Sequence, residues 1–295
     1  MLIEPLTGPI DADVVVPGSK SITNRALVCA TLAGGESQLH GVLDADDTQA
    51  MLGVISTLGA RVVGQIDGTA TYLITGVGGL LASGPLEVDV RMSGTTARFA
   101  TPLAARGTGV YIVDGAPEMR ARPMGETVQA LRSLGVTIAP DTLPLTLRGG
   151  FDGGSLTLGA SVSSQFASGM LLAAPGTSKG LELELEGDVV SRPYLDMTCQ
   201  VMRAFGAHVD QPSPNRFVVA SGVGYRAANY TIEPDASAAS YFFAAAAVSG
   251  GRVKIAGLGS NALQGDVGRS GAPAHCEESM STCLRSATRP KPWPR

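Results

Sequence analysis

The 295-residue chain has little charge and few aromatics: Asp, Glu, Lys and Arg make up 16% of it, and Phe, Trp and Tyr 5%. At 44% hydrophobic residues it is too apolar to remain unfolded and long enough to bury one large core or two smaller ones. No apolar run reaches bilayer-spanning length, and the N-terminus lacks the charged-then-apolar pattern of an export signal, so a cytoplasmic protein is expected. The four cysteines, Cys29, Cys199, Cys276 and Cys283, form no CxxC pair and no Cys/His metal spacing, which argues against a disulfide scaffold and a zinc site. Cys29 and Cys199 sit in apolar helical runs and read as buried, inert thiols. A net charge of −4 recommends neither nucleic acid nor an anionic membrane as partner, and leaves room for a local cationic site for a small anion.

What the chain has in quantity is glycine, 38 residues of it, which points to many short turns between buried elements and an α/β or α+β fold. Those turns recur. Helix-start signals stand at Ser21, Gly94, Ser164 and Ser237, spaced 73, 70 and 73 residues apart. A second series, a helix-stop glycine followed by β-branched residues, falls at Gly59, Gly135 and Gly206, spaced 76 and 71 apart. Two independent markers with one period argue for duplicated units. Each reads as a strand, a small-residue helix, a short strand, an amphipathic helix ending in glycine, then further strands. The amphipathic helices are expected over about Asp47 to Leu58, after a helix-opening Pro123, and after Pro193. Their stripes, such as Met51, Val54 and Ile55 or Met197, Val201 and Phe205, are core positions.

In the first unit an apolar run breaks at Pro17-Gly18, a strand ending, and resumes as a helix start at Ser19-Lys20-Ser21-Ile22-Thr23-Asn24-Arg25, with Ser19 or Ser21 as the cap. The Gly-Ser-Lys-Ser sequence resembles the end of a nucleotide-binding P-loop. That motif requires glycine before the lysine and another five residues earlier, where this chain has Ser19 and Val14. Three small-residue helices thus open with Lys20/Ser21/Arg25, Gly94/Thr95/Arg98 and Ser163/Ser164/Gln165. Arranged about a pseudo-threefold axis, their positive dipole ends and hydroxyls converge on one cleft suited to an anion. Arg120 and Arg122 add two cations, and Ser191-Arg192-Pro193-Tyr194 a further polar cluster. Taken singly, each of these is an ordinary cap or a solvated surface group.

With these motifs assembled, PGSKSITNRAL at 17–27, SGTTARF at 93–99, RARPM at 120–124, SSQF at 163–166, SRPYLDMT at 191–198, and PDASAASYFFAAA and LQGDV between 234 and 267, the chain resembles the enolpyruvyl transferases and, among them, the EPSP synthase family. The resemblance implies transfer of the enolpyruvyl group of phosphoenolpyruvate to the 5-hydroxyl of shikimate 3-phosphate, in aromatic amino acid biosynthesis, by a cytoplasmic monomer. It implies no cofactor and no metal. Carried over, Lys20 would touch both substrates, Ser21 and Arg25 the shikimate phosphate, and Gly94 and Arg122 phosphoenolpyruvate. Ser163, Ser164, Gln165 and Ser191 would complete the shikimate-phosphate site, with Gln165 also reaching phosphoenolpyruvate. Thr95, Arg98 and Tyr194 match family positions too, although a structural ion pair for Arg98 and a packed ring for Tyr194 read equally well. Met92 stands where the family usually has Asn, and Phe99 where Pro is common. A sister transferase acting on UDP-N-acetylglucosamine is disfavoured by the Lys-Ser-x-x-Asn-Arg opening and by the lack of a cysteine near Arg120.

On this reading residues 14–228 form a three-unit domain carrying the shikimate 3-phosphate site, and residues 1–13 with 229–268 an incomplete second domain. Residues 269–295 lose the family pattern and the helical period, contain four prolines and the single Trp, and are expected to form a disordered tail left by a frame shift or truncation. The family's proton-transferring Asp and Glu lie beyond Gly268. Asp235 reads as a helix cap, so no catalytic residue is assigned and little or no turnover is expected. The alternative from another class is a non-catalytic anion-binding domain.

Overall fold

Small-residue helices, each opening a repeat of the chain, form the centre of the structure, a computed structural model that describes residues 8–65, 70–159, 163–189, 191–265 and 267. The tail 269–295, and with it Cys276 and Cys283, lies outside the described residues, as do residues 1–7, Asp266 and Gly268. The chain divides into two compact units, one of residues 20–232 and one formed by the segments on either side of it.

In the larger unit the first repeat runs α1 (Lys20–Leu32), β2 (Gly34–His40), α2 (Asp46–Thr57), β3 (Arg61–Val63) and β4 (Tyr72–Val77), preceded in the chain by β1 (Asp11–Val14) of the other unit. The second runs β5 (Leu86–Asp89), α3 (Gly94–Ala105), β6 (Val110–Asp114), α4 (Pro117–Arg120), α5 (Gly125–Ser133), β7 (Thr137–Ala139) and β8 (Leu145–Arg148). The third runs β9 (Gly154–Gly159), α6 (Ser164–Ala173), β10 (Leu181–Glu186), α7 (Arg192–Ala204), β11 (Val209–Ser213) and β12 (Arg216–Val219), and β13 (Asn229–Thr231) follows. Helices start at Lys20, Gly94 and Ser164, within one residue of the periodic markers. Pro123 does not open a helix, because the single turn α4 precedes it and α5 begins only at Gly125.

Each repeat contributes one four-stranded sheet, and the three orders are equivalent: β9-β10-β12-β11, β5-β6-β8-β7 and β13-β2-β4-β3. In each the first pair is parallel and the others antiparallel. The leading strand of the first repeat is therefore β13, which pairs Asn229–Thr231 with Gln38–His40, and not the apolar run before Pro17. That substitution closes the larger unit at Ile232. Strand side chains alternate as a half-buried sheet requires: in β10 Leu181, Leu183 and Leu185 face inward, and Glu184 and Glu186 outward.

Helices α1, α3 and α6 touch one another pairwise. Helix α1 is buried from Ile22 through Leu32 without a break, so it has no solvent face and serves as a core helix. The amphipathic helices pack outside this centre, α2 through Met51, Val54 and Ile55, and α7 through Leu195, Met197, Val201 and Met202. Cys29 and Cys199 are buried, and burial pushes their thiols up to about 12 and about 11, so both stay protonated and unreactive. The repeat glycines after α2, α5 and α7 have φ of 108° at Gly59, 88° at Gly135 and 81° at Gly206. This left-handed backbone stops each helix and turns the chain into the next strand.

In the smaller unit β1 pairs in parallel with β14 (Arg252–Ile255), and α8 (Ala236–Ser249) packs Ala239 and Ala246 against Val16, Val253 and Ile255. Asp235 caps α8 by accepting a hydrogen bond from the Ala238 N–H at 2.9 Å, as its place before Ala-Ser predicts. Tyr241, Phe242, Phe243 and Val248 remain exposed on α8. Among the described residues no helix is long and apolar enough to cross a membrane.

The helix-stop glycines give a direct test. Nothing lies within 4 Å of a Cβ built on Gly135, so Gly135→Ala isolates the backbone effect and is expected to destabilise by about 1–2 kcal/mol in urea unfolding. Gly125→Ala, in equally open space but in ordinary helical backbone, is expected to be neutral or stabilising by up to about 1 kcal/mol.

Candidate functional site

The candidate site residues all lie in the larger unit, where they fall into three groups joined through α1, α3, α6 and α7.

The first group surrounds Gly94. The α3 N-terminus is capped by Ser93, whose hydroxyl accepts from the Thr96 N–H at 3.1 Å, and the Thr96 hydroxyl donates to the Asp47 carbonyl at 3.1 Å. Asp47, in the first turn of α2, pairs its carboxylate with the Lys20 ammonium at 2.7 Å. The start of α3 and the first turn of α1 are thus tied to one acidic residue. A Cβ on Gly94 would stand 2.9 Å from Nη1 of Arg122 and 3.3 Å from Nη1 of Arg98, so both guanidiniums crowd the glycine. Arg98 donates to Gln165 Oε1 at 2.5 Å and lies over the Phe166 ring at 4.8 Å, while Gln165 Nε2 donates to the Thr95 hydroxyl at 3.3 Å. Burial, followed by the charge of Arg122, lowers the Arg98 pKa.

The ion-pair reading of Arg98 does not hold: among the described residues neither Arg98 nor Arg122 makes a salt bridge. An amide and an aromatic face hold Arg98, and neither neutralises it. Arg120, by contrast, does not join the group. It pairs with Asp114 through Nε at 2.9 Å and Nη2 at 2.6 Å, at the surface.

The second group is built on Arg25, which is 2% exposed. Its Nε donates to the Thr198 hydroxyl at 2.7 Å, Nη1 to the Ser21 carbonyl at 2.8 Å, and Nη2 to the Ser168 hydroxyl at 3.3 Å and the Tyr194 carbonyl at 3.4 Å. The Phe99 and Tyr194 rings flank the guanidinium at 5.3 and 6.0 Å. Desolvation lowers the Arg25 pKa to about 10, still fully charged at neutral pH. Tyr194 is 41% exposed, its ring partly packed against Arg25.

The third group lines a small cavity at the N-termini of α6 and α7, where Ser163, Ser164 and Ser191 form the polar wall and Leu158, Leu185 and Leu195 the apolar one. Ser163 also caps α6 by accepting from the Gln165 N–H at 3.4 Å. Arg192, next to Ser191, is taken up by Asp196 at 2.9 Å.

Several cations and hydroxyls, with one carboxylate among them, are donors of the kind that a multiply anionic small molecule requires. Residues 6–272 match the family described as EPSP synthase (3-phosphoshikimate 1-carboxyvinyltransferase). The chain belongs to the EPSP synthase family. It is 43% identical over 270 residues to the 3-phosphoshikimate 1-carboxyvinyltransferase of Nostoc sp., covering 90% of this chain and 63% of the relative. The Citrobacter koseri relative of the same name is 43% identical over 264 residues, covering 88% and 62%. An EPSP synthase structure from Acinetobacter baumannii superposes with a TM-score of 0.77 at 25% identity, over 87% of this chain and 57% of that one. The chain therefore spans about three-fifths of the length of these relatives.

Four residues that touch the EPSP synthase motif side chains were given no role from sequence, although Ser93 and Thr198 stand within two of the motifs: Asp47, Ser93, Ser168 and Thr198. Asp47 stood only as the start of an amphipathic helix, and Thr198 only as the last residue of SRPYLDMT. The signal that marks Ser168 and Thr198 is spacing, since Thr198 lies four residues after Tyr194 and Ser168 three after Gln165, on the same helix faces.

Asp47 yields a prediction with a definite sign. Burial pushes its carboxyl up, but hydrogen bonds from Lys20 and Ser93 and the charges of Lys20 and Arg122 outweigh this and leave it below its ordinary value. A carboxyl lowered in the folded state adds stability that is complete above its unfolded value near about 4 and is lost as pH falls through the folded one. Asp47→Asn is expected to remove that dependence. Melting temperatures of the variant and the parent should draw together below about pH 4; a gap that stays constant between neutral pH and about pH 3 would contradict it.

Proposed function

We propose that this chain grips shikimate 3-phosphate and phosphoenolpyruvate for enolpyruvyl transfer to the 5-hydroxyl of shikimate 3-phosphate with release of phosphate. The observation that carries the reading is the pair Arg98 and Arg122 beside Gly94, two guanidiniums held together without a salt bridge among the described residues. Like charges kept in proximity are relieved by an anion, and the absent side chain of Gly94 lets that anion approach the α3 N-terminus.

Under this reading Lys20 stands between the two substrates. Arg25 with Ser21, Ser163, Ser164 and Ser191 holds the shikimate phosphate, Arg122 and Gly94 hold phosphoenolpyruvate, and Gln165 reaches both. Thr95 and Arg98 orient Gln165 through the hydrogen bonds described above. Both ligands are anionic and repel one another, so the contribution of these residues is to hold them at reacting distance. Nucleophile and electrophile are then paired by binding. The family relation further supports a cytoplasmic monomer with no nucleic-acid or membrane partner.

Calorimetric titration of the full chain with shikimate 3-phosphate, unphosphorylated shikimate and UDP-N-acetylglucosamine tests the reading. Binding of shikimate 3-phosphate with clear preference over the other two, weakened by salt, is expected. Failure of the wild-type chain to bind it, or preference for the nucleotide sugar, would overturn the assignment. Gly94→Ala is expected to preserve the fold, since only flexible guanidinium tips must move, and to weaken phosphoenolpyruvate binding by roughly 10-fold or more through displacement of Arg122. Equal affinity in variant and parent would remove Gly94 from the site.

A further inference from the structure

The Lys20 ammonium and the Asp47 carboxylate meet at 2.7 Å, and the two partners differ in freedom. Lys20 ends a flexible four-carbon stem and its side chain is 48% exposed, so on its own the ammonium samples many positions. Asp47 is fixed from three sides. It stands in the first turn of α2, where a helix N-terminus favours a carboxylate. Its carbonyl accepts the Thr96 hydroxyl at 3.1 Å, and its carboxylate accepts a hydrogen bond from the Ser93 hydroxyl.

Ser93 is the cap of α3 and directly precedes Gly94, and Thr96 lies in the first turn of the same helix. Contacts therefore run unbroken from Lys20 of α1 through Asp47 of α2 to the residue beside Gly94. They bring the ammonium of one helix to the start of another, and the charge of Arg122 acts on the same carboxylate. Burial pushes the Asp47 carboxyl up, but its hydrogen bonds and the nearby cations outweigh this, so it is ionised at neutral pH and holds Lys20 by a charge-assisted bond. An ammonium has three donors, and directing one of them onto a rigid acceptor narrows where the others point. A donor ordered before the ligand arrives leaves less entropy to be lost on binding.

We propose that Asp47 is a positioning residue: tied to the α3 start through Ser93, it holds the Lys20 ammonium where the two anionic substrates meet. The inference rests on the reading of this site as the one for shikimate 3-phosphate and phosphoenolpyruvate. Asp47 also subtracts from the positive charge of the site, which by itself weakens anion binding. The two effects have opposite signs. Were charge alone at work, removing it would tighten binding, whereas positioning makes its removal loosen binding. The pair is partly exposed and its charge is screened by solvent, so orientation governs.

The test uses the full chain at neutral pH and two readouts, calorimetric affinity for shikimate 3-phosphate and the ¹⁵N NMR signal of the Lys20 ammonium in the ligand-free protein, assigned by its loss in Lys20→Met. Asp47→Asn is expected to weaken binding by about 5-fold or more, the scale of coupling between residues in contact. Asp47→Glu keeps the charge but displaces it by one methylene, and is expected to weaken binding by about 3-fold or more. The Lys20 ammonium is expected to be ordered in the wild type and mobile in Asp47→Asn, a change confined to one side chain that general loosening of the fold would not single out. Unchanged or tighter binding in Asp47→Asn, unchanged binding in Asp47→Glu, or an ammonium equally mobile in Asp47→Asn and the wild type overturns the proposal while leaving the site assignment intact. Absence of shikimate 3-phosphate binding in the wild type overturns the assignment and this proposal together. Should Asp47→Asn fail to fold, Asp47→Glu decides on both readouts, and an unchanged affinity or an unchanged Lys20 signal there overturns the proposal.

Discussion

The close approach of α6 to α3 governs the geometry of the rest. Gly169 lies against the Arg98 carbonyl, so near that any Cβ there would collide with it and press on Pro102. Two local features of α3 and α6 make this contact. Pro102 has no N–H to offer the Arg98 carbonyl four residues earlier, so the helix leaves that oxygen open, and Gly169 brings no side chain to block the approach. Gln165 is one turn before Gly169 on the same face. Once the crossing is fixed, Gln165 is delivered to Arg98 and Thr95. Helix packing thus sets the position of a polar contact that neither helix could hold alone.

The same packing confines positive charge. Lys20 has Asp47 as a counter-ion, whereas Arg25, Arg98 and Arg122 make no salt bridge among the described residues. A buried cation without a counter-ion is costly, and the structure offsets this for Arg25 with carbonyls, hydroxyls and two aromatic faces. These groups stabilise the charge without cancelling it. The field around these residues remains positive, and on the proposed reading an anionic ligand meets donors already oriented, with little reorganisation left to do.

The sequence made the repeat legible, because each unit reuses the same two pieces of local chemistry: a small-residue helix with a polar start and an amphipathic helix stopped by glycine. Local signals of that kind survive without knowledge of the fold. The leading strand of the first repeat was not legible. β13 is three residues long, and it owes its place to pairing with β2, far away in the chain. The site residues divide along the same line. Those carried by motifs, Lys20, Gly94, Arg122 and Gln165, stood out, but Arg120 looked equivalent to Arg122 and is consumed by Asp114. Asp47, Ser168 and Thr198 matter through partners on other helices, and only the spacing from Gln165 and Tyr194 marks the last two in the sequence.

The two departures from the family pattern sit differently in the structure, and this bears on how far the site is altered. Met92 is 55% exposed, at the loop before α3, where a change of side chain disturbs no packing. Phe99 is 1% exposed and lies inside α3, against Arg25. A proline at that place would remove a backbone donor from the middle of the helix and take away the ring. With phenylalanine, α3 runs on to its own proline at Pro102, and the aromatic face becomes part of the Arg25 support. Through this ring the support of the buried cation depends on α3 as well as on the hydroxyls of α6 and α7.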